Sequence, residues 1–140
     1  MTPASTPQRP VPVVRLIIPN AEGAVLLLKR VPGVTGGEGW CLPGGKIDYG
    51  ETAFEAARRE LAEETRLEGV DLRYLFYQDS LPVEPGAMHC INHYFHCTVT
   101  GDLELDSESS RHAWVTPAEL DRYSIVFRNR EGLERYWDEG

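Results

Sequence analysis

The chain has 140 residues, 41% of them hydrophobic and 26% charged, enough for one globular domain around a single hydrophobic core. A net charge of −8 argues against duplex nucleic acid as a partner, which needs a basic face. A small phosphorylated ligand stays possible, because a bound cation reverses the local field. No apolar run approaches the roughly 18 residues of a membrane span.

Met1–Pro12 is rich in Pro, Ser and Thr and lacks the basic start and apolar stretch of a signal peptide. It is expected to be a disordered or loosely held tail before a single domain over residues 13–140. Val13–Ile18 and Ala24–Arg30 read as strands around the turn chemistry of Pro19–Gly23, so the pair reads as a hairpin. A glycine-rich loop, Val31–Gly39, leads to the short apolar piece Trp40–Leu42, which Pro43, Gly44 and Gly45 stop with a tight bend.

A helix is expected from about Glu51 to Thr65, with Phe54, Ala57 and Leu61 as its apolar face. Glu55 and Arg59 would form an i,i+4 pair on the far side. Val70–Gln78 and His89–Thr100 read as strands, and Leu103–Leu105 as a continuation of the sheet. Thr116, Pro117 and Glu119 open a short helix with a capping box. Arg130–Glu139 reads as helical, packing through Leu133, Tyr136 and Trp137. This order implies either an α+β fold or an α/β/α sandwich on a mixed sheet.

The stretch R-E-L-A-E-E, Arg59–Glu64, concentrates like charge near a helix C-terminus, where repulsion and the macrodipole both disfavour it. On a helical wheel Glu64 falls about 40° from Glu60 and Glu63 about 60° from it, so the three carboxylates share one arc. A solvated acidic face is one reading. A site for a hard cation is the other, since Mg²⁺ takes oxygen ligands shared between carboxylates and phosphates. The Pro43–Gly45 bend upstream favours the second. It brings bare backbone, including a carbonyl ligand, beside the helix start, and Lys46 follows to meet a phosphate.

The spacing is Gly45, five residues, Glu51, seven residues, then R-E-L-x-E-E-x-x-L ending at Leu67. This resembles the Nudix box, G-x5-E-x7-R-E-U-x-E-E-x-G-U with U aliphatic, with Arg66 where the box has Gly. The resemblance implies an α/β fold, an α/β/α sandwich with a mixed β-sheet. It also implies hydrolysis of a pyrophosphate bond in a nucleoside diphosphate derivative with Mg²⁺ or Mn²⁺ as cofactor. By position, Glu60 and Glu64 would be the main metal ligands, with Glu63 beside them and the Gly44–Gly45 bend adding a carbonyl. Arg59 would orient a glutamate, and Glu51 would brace the loop or pair with Arg59. The general base would come from the box, from Glu63 or Glu64, or from a later loop. Glu108, six residues before Trp114, resembles a glutamate that reaches the metal in related enzymes; a solvated loop acid is its other reading. Arg30 resembles a phosphate-contacting position and otherwise reads as a solvated strand end.

Within the family the first reading is a (deoxy)nucleoside triphosphate pyrophosphohydrolase. The alternative is ADP-ribose or nucleotide-sugar hydrolysis. A non-catalytic nucleotide-sensing module is a third reading, disfavoured because all three box glutamates are present. The expected partner is a small nucleotide, with no membrane and no duplex nucleic acid; a homodimer is compatible with the family. Cys41, Cys90 and Cys97 form no C-x-x-C pair, and the odd count without a secretion signal suggests reduced thiols and a cytoplasmic protein. His89, Cys90, His93, His96 and Cys97 are not read as a zinc site, because alternate residues of a strand face opposite ways.

Overall fold

The computed structural model describes residues 8–33 and 38–139. Most of the expected tail, and the tip of the glycine-rich loop, lie outside the described residues. The elements run β1 (Val11–Ile17), β2 (Val25–Arg30), β3 (Gly39–Cys41), β4 (Gly44–Lys46), α1 (Ala53–Thr65), β5 (Glu68–Ser80), β6 (Cys90–Thr100), β7 (Ser109–Val115), a 3₁₀ helix (Pro117–Arg122) and α2 (Asn129–Glu139).

Two sheets form, ordered β4-β1-β6-β5 and β3-β2-β7. β1 runs parallel to β6 and antiparallel to β4, so the larger sheet is mixed. The expected hairpin of the first two strands is not formed. The turn itself is there: Asn20 Oδ1 accepts the N–H groups of Glu22 and Ala24, and Leu26 N–H donates to Ile18 at 3.1 Å. Beyond it the strands part into different sheets. Both are near-continuous apolar runs buried on both faces, the pattern of interior strands, and each takes two partners from elsewhere in the chain.

Alternation along these strands builds two apolar layers. Val14 and Leu16 of β1 and Leu26 and Leu28 of β2 pack with Ala56, Ala57 and Leu61 of α1. Ile17, Val25 and Leu27 face the other way, onto Leu120 of the 3₁₀ helix and Leu133 of α2. The result is an α/β/α sandwich. The same alternation separates the His/Cys run of β6. Phe95 and Cys97 face the α1 layer and Tyr94 the α2 layer, with His96 beside Tyr136.

Thr52 caps α1: its Oγ1 accepts the Glu55 N–H at 3.1 Å, and Glu55 Oε1 accepts the Thr52 N–H at 2.8 Å. This replaces the expected Glu55–Arg59 pair, since Glu55 is turned back to the helix start. At the other end Arg66 adopts the left-handed conformation, φ 63°, and donates its N–H to Ala62 at 3.0 Å. Arg66 therefore makes the same turn a glycine would, with its Cβ strained. Leu103–Leu105 forms no strand. Glu104 N–H donates instead to the Thr65 carbonyl at 2.8 Å, while Leu103 and Leu105 pack against the α1 layer.

Candidate active site

The chain leaves β3 in one sheet and enters β4 in the other within three residues, and two glycines make that crossing possible. A Cβ on Gly44 would run into the Val14 carbonyl, so only glycine lets β4 lie against β1 here. At Gly45 an added Cβ would stand 2.6 Å from Glu60 Oε1, which means that the Glu60 carboxylate rests directly on bare backbone. The Gly44 N–H donates to Glu64 Oε2 at 3.0 Å. The expected tight bend is thus a short strand whose glycines receive two carboxylates from α1.

Arg59 organises the other side of these acids. Its Nε and Nη2 fork onto Glu51, at 3.0 and 2.6 Å. Nη1 reaches Glu60 Oε1 at 2.9 Å and Glu63 Oε2 at 3.2 Å, and Nη2 also donates to the Lys46 carbonyl at 3.0 Å. Glu51 in turn accepts the Asp48 N–H at 2.8 Å, so one arginine ties the β4–α1 loop to the acidic face of α1. Glu51 thus accepts from the loop backbone and from Arg59 at once. The fork is the first cause, and the Asp48 N–H the second, that holds the Glu51 carboxyl down at about 2.

Glu60 and Glu64 line a cleft of ≈ 320 Å³ together with Gly44, Gly45, Lys46 and Glu108. Burial, and then the charge of the facing Glu60, push the Glu64 carboxyl well above the usual carboxylate range. Burial likewise raises Glu60, against the hydrogen bonds from Glu64 and Arg59. Two desolvated carboxylates compressed together make a strong locus for positive charge. Glu63 sits farther out, largely exposed and paired with Arg59. Glu108, just before β7, lines the same cleft, and its carbonyl accepts the Val31 N–H at 3.0 Å. Arg30, at the end of β2, lines the same cleft.

Beyond the expected residues, the cleft takes in Asp48, Arg15 and Phe127. Asp48 lies 3.3 Å from Arg59 Nη2, in the loop inside the motif. Arg15 is 6% exposed and forms part of the wall. Its signal was legible as the lone charge in the apolar run V-P-V-V-R-L-I-I. Phe127 carried no such signal. It and Arg128 are consecutive non-glycine residues with positive φ, 60° and 59°, just before α2.

The NUDIX domain family matches residues 9–136. The nucleoside triphosphatase NudI of Salmonella heidelberg is 32% identical over 123 residues, which span 80% of this chain and 86% of that protein. An RNA pyrophosphohydrolase of Erythrobacter litoralis is 32% identical over 133 residues, 81% and 80% of the two chains. Among solved structures, a MutT protein of Methanosarcina mazei superimposes with a TM-score of 0.82 at 26% identity, covering 96% of this chain and 98% of that one. With the box, the sandwich and the paired carboxylates in their cleft, these matches show that the chain belongs to the Nudix family and is an enzyme that hydrolyses phosphoanhydride bonds of nucleotides.

Proposed function

We propose that the protein is a metal-dependent (deoxy)nucleoside triphosphate pyrophosphohydrolase, releasing a nucleoside monophosphate and pyrophosphate. One observation carries this reading: a single cleft joins the paired carboxylates of Glu60 and Glu64 to a cationic side that includes Arg30 and Lys46. A triphosphate chain and its counter-cation fit that division of charge. The relatives named as a nucleoside triphosphatase and as an RNA pyrophosphohydrolase support the same reaction class.

The donor set fits Mg²⁺ or Mn²⁺. It is all oxygen and anionic, Arg59 fixes Glu60 and the Gly44 N–H fixes Glu64, and the bare backbone of Gly45 leaves the Glu60 carboxylate its place. Glu60 and Glu64 would hold the ion, with the Gly44 carbonyl and Glu63 completing the protein's share. The bound ion would neutralise charge on the phosphoryl oxygens. Arg59 holds Glu60 and Glu63 in orientation. Arg30 and Lys46 bind the phosphates. Glu108, which lines the cleft from outside the box, is the residue proposed to accept the proton of the attacking water, with Glu63 or Glu64 as the alternatives within the box.

The test is a panel of nucleoside and deoxynucleoside triphosphates, ADP-ribose, nucleotide sugars and dinucleoside polyphosphates with Mg²⁺. The products are resolved by chromatography. Monophosphate and pyrophosphate from triphosphates are expected; turnover confined to ADP-ribose or nucleotide sugars would replace this reading by its rival.

A further inference from the structure

Arg15 lies mid-strand in β1, beside Gly44 on one side and Tyr94 on the other, and its side chain forms part of the cleft wall. It is 6% exposed, yet it is poorly compensated. Nη1 donates one long hydrogen bond, 3.3 Å, to the Leu42 carbonyl, and Nε has no hydrogen-bond partner. Among the described residues no carboxylate lies within ion-pair distance of it, and the Glu64 carboxyl in the same cleft feels its charge only from farther away. A buried guanidinium with most of its donors unused is costly unless something else accepts from them.

Its aromatic neighbour is fixed with unusual care. The Arg15 guanidinium carbon lies 4.7 Å from the centre of the Phe127 ring, and that of Arg30 lies 4.9 Å from it. Phe127 and Arg128 hold their left-handed backbone because the surroundings over-determine it. The Phe127 carbonyl accepts from Asn92 and Asn129, both at 3.2 Å, and the Arg128 carbonyl from Gln78 at 3.0 Å. Strain maintained by three side-chain amides places one flat apolar ring next to one unsatisfied planar donor. Met88, Cys90 and Val13 extend the apolar wall beside them.

We propose that Arg15 and Phe127 form a base-reading subsite, in which Arg15 donates to a ring carbonyl of the nucleobase. The inference rests on the nucleotide reading above and adds a selection to it. A phosphate would suit the partly exposed Arg30 and the exposed Lys46; the deeper, drier, aromatic-lined position suits a base edge. Guanine, cytosine and thymine carry a ring carbonyl, whereas adenine accepts only through ring nitrogens and turns an amino donor to the guanidinium at the edge where guanine has its carbonyl. A site built around a buried donor rejects a ligand that leaves the donor unpaired.

The experiment measures kcat/KM for dGTP, dCTP, dTTP and dATP with Mg²⁺ in the wild type, in Arg15→Met and in Arg15→Lys. Binding of the four corresponding monophosphates is measured in parallel by calorimetry without turnover. The wild type is expected to favour at least one carbonyl-bearing base over adenine by about tenfold. Both variants are expected to lose that preference, the lysine because it keeps the charge without the planar fork. The thermal midpoint of Arg15→Met should not fall, since the substitution removes a poorly compensated buried charge. An unchanged base preference in both variants overturns the inference, as does an equal fall for all four substrates, which would mark a phosphate contact. A lower melting temperature would mark a structural role and also overturns it. If the wild type hydrolyses none of the triphosphates, the nucleotide reading fails on that arm, and the monophosphate binding still decides the role of Arg15.

Discussion

Arg59 grips Glu51 through two parallel hydrogen bonds, Nε to Oε2 at 3.0 Å and Nη2 to Oε1 at 2.6 Å. The pair spans eight residues and closes the loop that carries Lys46 and Asp48 onto α1. From there the same guanidinium reaches Glu60, so the loop, the helix and a proposed metal ligand are set by one side chain.

The Glu51 carboxyl, held at about 2 against an ordinary 4.5, makes the sign of its pH dependence definite. A depressed carboxyl contributes stability that is complete above its unfolded pKa and is lost as pH falls through the folded one. Urea midpoints of the wild type and Glu51→Gln should therefore differ by a constant amount above about pH 5. The gap should close progressively as the pH approaches 2. A gap that persists unchanged in acid would mean that the Arg59 fork does not act through charge.

The two adjacent glycines separate folding from catalysis. Gly44→Ala forces a Cβ into the Val14 carbonyl, and neither backbone can give way easily. It should cost about 2 kcal/mol or more in chemical denaturation. Gly45→Ala meets only the end of the Glu60 side chain, at 2.6 Å. Its stability should change by less than about 1 kcal/mol. Its kcat/KM should fall by about 10²-fold, because a displaced carboxylate misplaces what it holds. Comparable stability losses in both variants would contradict this division.

Arg66→Gly tests the one departure from the box. The position has φ 63°, so glycine relieves Cβ strain, partly offset by the greater freedom of the unfolded chain. A gain of about 0.5–1 kcal/mol is expected in denaturant unfolding. Turnover should stay within about twofold, since Arg66 contacts neither the cleft nor Arg59. A loss of stability would show that the arginine side chain has a favourable contact of its own.

The box could be read in the sequence because its parts are local: the glycines, Glu51 and the helix lie within a few turns of one another, where spacing decides geometry. The hairpin could not, because the Asn20 turn is a local property while strand pairing is not. β1 finds its partners at Gly44–Lys46 and Cys90–Thr100, far along the chain. β7 is not legible for a related reason, since S-S-R-H-A-W-V has little strand periodicity and, among the described residues, pairs with β2 alone. Arg15 was visible as a charge in an apolar strand, but its meaning depends on Phe127, more than a hundred residues later. Phe127 itself gave no signal, because its left-handed backbone is imposed by hydrogen bonds from Asn92 and Asn129.

The most direct test of the site is steady-state hydrolysis of a deoxynucleoside triphosphate with Mg²⁺ by the wild type and by Glu64→Gln, with thermal unfolding of both proteins in metal-free buffer. Glutamine keeps an oxygen that can accept the Gly44 N–H and cannot supply the negative charge a bound cation would need. The variant should melt no lower than the wild type and lose about 10²–10³-fold in kcat, as expected when charge stabilisation at the reacting group is removed. Turnover at the wild-type rate by a folded Glu64→Gln protein would contradict the assignment of the paired carboxylates to the chemistry.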